Sequence, residues 1–372
     1  MTERDPSSDR SPSGHLLPQG EKGHVSRRAV LGATLALAAC HPKADAQPAP
    51  ANLPPLRSLS PFPVGTCVQA AQLDDPQLSA LIGAQASQLT AEWEMKMEYI
   101  VADDGAFRFD APDRIAAFAR AHGQRLFGHT LVWYAQKPPG FARLDEARAP
   151  FAEAYRNYIL AVVGRYQGLA CGWDVVNEAI SDDGETWRDS LWSQRLGKLD
   201  HMVLAYHHAR EADANVPLFL NDYNLESNSK KRATYLRLAE ALLKAGAPLT
   251  GLGTQTHIAA DLPLGALTAA IRDLASLGLP IHVSEMDVSL TRAQGFFKDP
   301  ADLRARQARL YAEAAEAFSA LPAHQRFAFT HWGLRDRDSW LKRENKTDTP
   351  LLFDDTGHPK PAAAAWAKAL RA

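Results

Sequence analysis

The sequence predicts an α/β protein built as one (β/α)8 TIM barrel, on three observations. Short apolar runs rich in β-branched and aromatic residues alternate with Ala-rich helical stretches, eight times, from Phe62 to the C terminus. Nearly every run ends in polar or aromatic residues, and barrels of this kind carry their chemistry at the C-terminal ends of the strands. A doubly wound sheet would need a Gly-rich phosphate turn after its first strand, and no GxGxxG or Walker motif occurs there.

Composition sets the outer bounds. The chain has 372 residues, 46% of them hydrophobic, with 41 Lys+Arg against 43 Asp+Glu. Such a chain buries a large core and does not read as disordered. Its net charge of −2 gives no electrostatic footprint for nucleic acid, so no nucleic-acid partner is expected. Three cysteines, at positions 40, 67 and 171, make neither a disulfide framework nor a CxxC zinc site.

The elements follow in order. Residues 1–46 read as a signal segment: a polar stretch ends in Ser26-Arg27-Arg28, then the apolar run Ala29 to Ala39 begins. That run is too short to span a bilayer and fits a twin-arginine-type signal. Two cleavage points compete: Leu37-Ala38-Ala39-Cys40 resembles a lipobox, which would make Cys40 a lipid anchor, and Ala44-Asp45-Ala46 fits ordinary cleavage. Either one takes the protein out of the cytoplasm, to the periplasm or the medium. Residues 47–61 carry five prolines and read as a stiff spacer. The barrel is then expected over 62–372.

Its strands are expected at Phe62–Val68, Gln88–Met95, Arg125–Trp133, Gly172–Glu178, Pro217–Asn224, Leu249–Ile258, Pro280–Ser289 and Arg326–Leu334. Helical patterns between them include Pro112–Ala121, Pro150–Tyr166, Lys231–Ala245, Leu264–Leu277 and Asp302–Ala320. Cys67 and Cys171 fall in the first and fourth strands, which are not barrel neighbours, so both should remain free thiols. Trp173 and Trp366 read as core.

Two glutamates stand out because each ends an apolar strand, where an unpaired carboxylate is expensive. Glu178 closes the fourth strand and Glu285 lies near the end of the seventh. A buried ion pair or hydrogen-bonded network is the plain structural alternative. The histidines show no HExxH-like spacing, so neither a metal nor another cofactor is expected.

Eight segments in order resemble the family 10 glycoside hydrolases, chiefly endo-β-1,4-xylanases with a (β/α)8 fold. They are Glu92-Trp93-Glu94-Met95-Lys96, Gly128 to Trp133, Trp173 to Ala179, Asn221-Asp222-Tyr223-Asn224, Gln255-Thr256-His257, Ser284 to Asp287, Trp332-Gly333 through Ser339-Trp340, and Pro350 to Phe353. The resemblance implies retaining hydrolysis of xylan or xylo-oligosaccharides by two carboxylates about 5–5.5 Å apart. It makes Glu285 the nucleophile and Glu178 the acid/base. The nearby charge of Glu285 would keep Glu178 protonated until glycosylation removes that charge.

By the same resemblance, Asn177 contacts the sugar 2-hydroxyl, while His257 and Asp287 hold the nucleophile ionised and oriented. On an extended strand Glu285 and Asp287 share a face, as do Gln255 and His257. Glu92, Trp93 and Lys96 match the subsite for the next sugar on the glycone side. His129, Trp133 and Gln136 match the subsite of the reacting sugar, with Asn221 and Gln255 also placed on the substrate site. Trp332 and Trp340 match aromatic walls of the cleft. Three positions depart from the family: Trp93 replaces a usual Asn, Tyr134 a frequent His, and Leu341 a frequent basic residue. Trp93 is expected to alter the glycone subsite, towards decorated chains or short oligosaccharides. Alternatives are another retaining (β/α)8 β-glycosidase acting on β-glucans, or a noncatalytic glycan-binding surface protein. A monomer is expected.

Overall fold

A computed structural model describes residues 53–144, 148–295 and 299–371. The signal-type segment with Cys40, and the first part of the spacer, lie outside the described residues.

Among the described residues, nine parallel strands form the sheet. They are β1 (Val64–Val68), β2 (Gln88–Ala91), β3 (Arg125–Trp133), β4 (Ala170–Asn177), β5 (Leu218–Asp222), β6 (Gly251–Thr254), β7 (His257–Ala259), β8 (Ile281–Ser289) and β9 (Arg326–His331). Each pairs with its neighbour from β1 to β6, β6 then pairs with β8, β8 with β9, and β9 closes on β1. The result is a closed eight-stranded barrel, with β7 added as a short strand beside the end of β8. Every residue of β8 is buried, as expected of a strand covered on both faces.

Among the described residues, eight helices of nine or more residues surround the barrel. They are α1 (Pro76–Gln85), α2 (Asp110–Ala121), α3 (Arg148–Arg165), α4 (Asp200–Ala212), α5 (Ser229–Lys244), α6 (Ala266–Ala275), α7 (Pro300–Ser319) and α8 (Pro361–Ala369). Local chemistry starts several of them. Asp75 caps α1 by accepting from the Gln77 and Leu78 amides, with Pro76 at the first helical position. Asn228 does the same for α5 through the Lys231 amide.

Two differences from the sequence reading have clear causes. The run expected as one sixth strand is broken between β6 and β7, because Thr256 takes a left-handed backbone with φ 61°. The fold also begins before Pro61. Residues Leu56–Leu59 make a helical turn whose buried Leu56 donates its amide to Gln85 Oε1 at 2.8 Å, tying it to α1. Cys67 and Cys171 are free thiols, and Trp173 and Trp366 lie fully buried in the core.

Aromatic rings fill the lower part of the barrel. Phe127 meets His282 at 4.5 Å and Phe219 at 5.6 Å between centroids, and Phe219 meets Phe327 at 4.5 Å. This apolar floor leaves the polar residues of the strands gathered at the upper, C-terminal end. Gly172 belongs to the same packing: a Cβ there would stand 2.8 Å from the Phe127 ring.

Candidate active site

The strand ends bring Trp133, Asn177, Glu178, Asn221, Gln255, His257, Glu285, Asp287 and Trp340 into one network, and separate contacts hold the other candidates. Glu178 follows β4 with φ 58°, a left-handed conformation that is rare for a non-glycine residue and concentrated at functional sites. Its amide donates to the Asn221 carbonyl at 2.8 Å, which fixes the turn out of the strand. Trp133 Nε1 donates to Glu178 Oε2 at 2.7 Å, and Gln255 Nε2 donates to Oε1 at 3.0 Å. Asn177 Nδ2 lies 3.3 Å from the same Oε1. The carboxyl is buried to 9% exposure.

Glu285 stands opposite on β8. Asn221 Nδ2 donates to its Oε1 at 2.8 Å and also reaches Asn177 Oδ1 at 3.0 Å, so one amide links the neighbourhoods of both carboxylates. Ser284 Oγ donates to Asn221 Oδ1 at 2.7 Å and fixes that amide's orientation. Gly253 makes the room, since a Cβ there would stand 2.4 Å from Asn221 Oδ1.

His257 lies between two acids. Its Nδ1 is 2.9 Å from Asp287 Oδ2, and its Nε2 is 3.4 Å from Glu285 Oε2. Both partners are carboxylates that can only accept while ionised, so both ring nitrogens act as donors and the ring is an imidazolium. Burial works against that charge, yet Asp287 and Glu285 together raise the histidine to about 10. For Glu285, burial would raise the carboxyl, but His129, His257 and Lys96 overcome it and hold it at about 2. Trp340 Nε1 also donates to Asp287 Oδ2, at 2.8 Å. The His257 ring meets Trp340 at 5.1 Å and Trp332 at 6.1 Å.

His129 is oriented by a buried acid that the sequence reading did not single out. Its Nδ1 is 2.8 Å from Asp174 Oδ2, and Trp332 packs edge-on against the ring at 5.4 Å. Burial drives Asp174 up to about 6, with His129 opposing. Asp174 is the other acid in the apolar run that ends at Glu178, and an acid inside such a run is a signal the sequence offers.

Trp93 stands between two cationic side chains. Lys96 Nζ lies 4.4 Å from the Trp93 ring centre and 4.8 Å from that of Trp133, while the Arg343 guanidinium lies 5.0 Å from Trp93. Such contacts let a buried cation rest on an indole face. Buried Glu92 accepts from Gln69 Nε2 at 3.0 Å and from Arg343 at 3.1 Å. Burial raises Glu92, with Gln69, Arg343 and Lys96 opposing, and lowers Lys96, with Glu285, Glu178 and Glu92 opposing. Arg343 was not foreseen. Leu341, at the position where a basic residue is frequent, is buried, and the positive charge arrives two residues later on a side chain 55% exposed.

Gln136 is held differently from the other candidates. Its Oε1 accepts from the Glu98 amide at 3.0 Å, so its carbonyl end is spent on the short helix Met97–Ile100. Tyr134 packs under the Arg188 guanidinium at 4.1 Å. Beneath Glu178, a fully buried ion pair joins Lys231 Nζ to Asp222 Oδ1 at 2.8 Å, and Asp222 Oδ2 accepts from the Ile180 amide at 3.0 Å. Burial raises Asp222 to about 6, against the pull of Lys231. Among the described residues, no cluster of His, Cys, Asp or Glu is arranged to hold a metal ion.

The family model described as glycosyl hydrolase family 10 matches residues 58–369. The chain belongs to glycosyl hydrolase family 10. An endo-1,4-beta-xylanase of Geobacillus stearothermophilus is 34% identical over 84% of this chain and 97% of its own length. An Acetivibrio thermocellus protein named exoglucanase XynX is 35% identical over 81% of this chain, but this chain spans only 28% of it. Among solved family 10 structures, xylanase XynB from Paenibacillus barcinonensis superposes with a TM-score of 0.78, at 32% identity, over 85% of this chain and 98% of that one. A mutant of an intracellular xylanase of Thermoanaerobacterium saccharolyticum, in complex with xylotetraose, gives 0.77 at 33% identity, over 85% and 99%. Family 10 membership therefore covers the barrel from end to end.

Proposed function

We propose that this chain is a retaining endo-β-1,4-xylanase that hydrolyses xylan or xylo-oligosaccharides by double displacement. The observation that carries the reading is the opposed setting of two carboxylates in one network. Glu285 is held ionised at about 2 by His129, His257 and Lys96, whereas the Glu178 carboxyl sits at the far end of the Asn221–Asn177 bridge and accepts from Trp133, Gln255 and Asn177.

In the first step Glu285 attacks the anomeric carbon while Glu178 gives its proton to the leaving glycosidic oxygen. A glycosyl ester forms and the Glu285 charge disappears. In the second step Glu178 takes a proton from water, which attacks the same carbon from the opposite face and releases Glu285. Two inversions give net retention. Asn177 is assigned to the sugar 2-hydroxyl, and Asn221, His257 and Asp287 to keeping Glu285 ionised and aimed. Glu92, Trp93 and Lys96 bind on the glycone side, His129, Trp133, Gln136 and Gln255 around the reacting sugar, and Trp332 and Trp340 form walls. Export by the twin-arginine-type segment 1–46 would bring this site to a polymer outside the cytoplasm, and the chain is taken to act as a monomer.

Reducing-sugar release from soluble xylan, a β-glucan and a mannan tests the proposal, with Glu285→Ala as control. Release from xylan that the variant abolishes is the expected result. Release from the β-glucan alone would keep the chemistry and overturn the substrate. Silence on all three would favour a noncatalytic glycan-binding role.

A further inference from the structure

The break between β6 and β7 falls between the two residues that touch the two carboxylates. Gln255, before it, donates to Glu178 Oε1 at 3.0 Å and reaches Asn177 Oδ1 at 3.3 Å. His257, after it, meets Glu285 at 3.4 Å and Asp287 at 2.9 Å. Between them Thr256 holds φ 61°, a left-handed backbone that a β-branched residue keeps only where its surroundings enforce it. An unforced Thr256 would relax to extended backbone, and an unbroken strand would carry Gln255 and His257 to one face in fixed register.

One side chain supplies the constraint. Glu226 Oε1 accepts from Thr254 Oγ1 and, at 2.8 Å, from Thr256 Oγ1, so it clamps both sides of the turn. Glu226 is only 4% exposed, and its Oε2 is buried with no hydrogen-bond partner among the described residues. A half-satisfied buried carboxylate is an expensive way to fill space. Its use here is to take two hydroxyl protons on one oxygen, which no apolar residue could do.

We propose that Glu226 is a positioning residue for both catalytic carboxylates, acting through the Thr254–Thr256 clamp on Gln255 and His257. The inference rests on the roles given above to Glu178 and Glu285. It predicts that the clamp behaves as a unit. In the full chain, Glu226→Ala and the double variant Thr254→Val/Thr256→Val should each lower kcat by about 10- to 100-fold, the range for a misplacement of about 1 Å. KM should change by less than about threefold, because Glu92, Trp93 and Lys96 are untouched. Combining all three substitutions should cost no more than the worse variant alone, as for groups that act together. Glu226→Gln keeps an acceptor oxygen and should recover part of the loss. Rates are taken per active site, counted by stoichiometric trapping of Glu285 with a slow glycosylating inhibitor, so that misfolded protein is excluded. Normal kcat per trapped site, losses that multiply in the combined variant, or a rise in KM with kcat intact would each overturn the proposal. A wild-type chain that neither turns over an aryl xylobioside nor is trapped would overturn the catalytic reading itself.

Discussion

The charge pattern around Glu285 makes a quantitative prediction for His257→Gln. Holding a carboxyl at about 2 rather than its ordinary 4.5 corresponds to about 3 kcal/mol in favour of the ionised form, at about 1.4 kcal/mol per pKa unit. Burial opposes ionisation, and His129, the His257 hydrogen bond, the His257 charge and Lys96 supply the stabilisation. Glutamine keeps a donor of similar reach but removes the charge. Loss of an opposite charge at this range moves a carboxyl by roughly 1–3 units, so Glu285 should rise into the range of about 3–5. The direction is fixed. A depressed carboxyl stabilises the fold fully above its ordinary 4.5 and loses that contribution as pH falls through about 2, so the variant should be less stable than wild type above about pH 4.5, with the deficit shrinking as pH falls towards 2. The assay is the pH profile of kcat/KM on an aryl xylobioside, with brief exposures from pH 2 upwards, since its acid limb reports the free enzyme's nucleophile. An acid limb that stays in place would refute the claim that His257 carries a charge beside Glu285.

Three further outcomes follow from the geometry. Gly253→Ala should displace the Asn221 amide, lowering kcat by roughly tenfold and stability by about 1–3 kcal/mol, read by turnover and by urea denaturation. Lys231→Met strands the buried Asp222 carboxylate and should cost about 3–5 kcal/mol at pH 8. Because burial already raises Asp222 to about 6, that loss should shrink towards pH 5 as the carboxyl takes up a proton; denaturation midpoints at the two pH values check it. Trp93→Asn removes the ring that Lys96 and Arg343 flank and should change KM and the product lengths from xylo-oligosaccharides more than kcat; an unchanged affinity and product pattern would show that the indole does not shape this subsite.

Much of the barrel was legible because its signals are local. The third strand runs over Arg125–Trp133 as expected, and the eighth over Ile281–Ser289 against an expected Pro280–Ser289, since an apolar run between turn signals marks a buried parallel strand directly. The carboxylates were legible for a related reason: few polar residues end such runs without a task. What escaped depends on contacts distant in sequence. Nothing in Thr254-Gln255-Thr256-His257 announces a left-handed turn, because Thr ordinarily favours extended backbone and the clamp on it is Glu226, in another loop. Arg343 reaches Glu92 across 251 positions of sequence from a segment with no period to read. Leu56 looked like part of a proline-rich spacer because its partner, the Gln85 side chain, lies 29 residues on.

The pairing of charges also bears on the second half of the proposed reaction. When Glu285 becomes an ester, its negative charge leaves the buried network. If His257 had only Glu285 as a partner, an uncompensated imidazolium would then be buried, and the intermediate would be penalised by several kcal/mol. Asp287 prevents this. At 2.9 Å it is the closer of the two acids, so His257 and Asp287 remain a neutral pair through the ester state. The cation on β7 that stabilises the ionised nucleophile thus has a second acid that does not react. The nucleophile can lose and regain its charge without leaving His257 unpaired, and this lets one set of side chains serve both displacement steps.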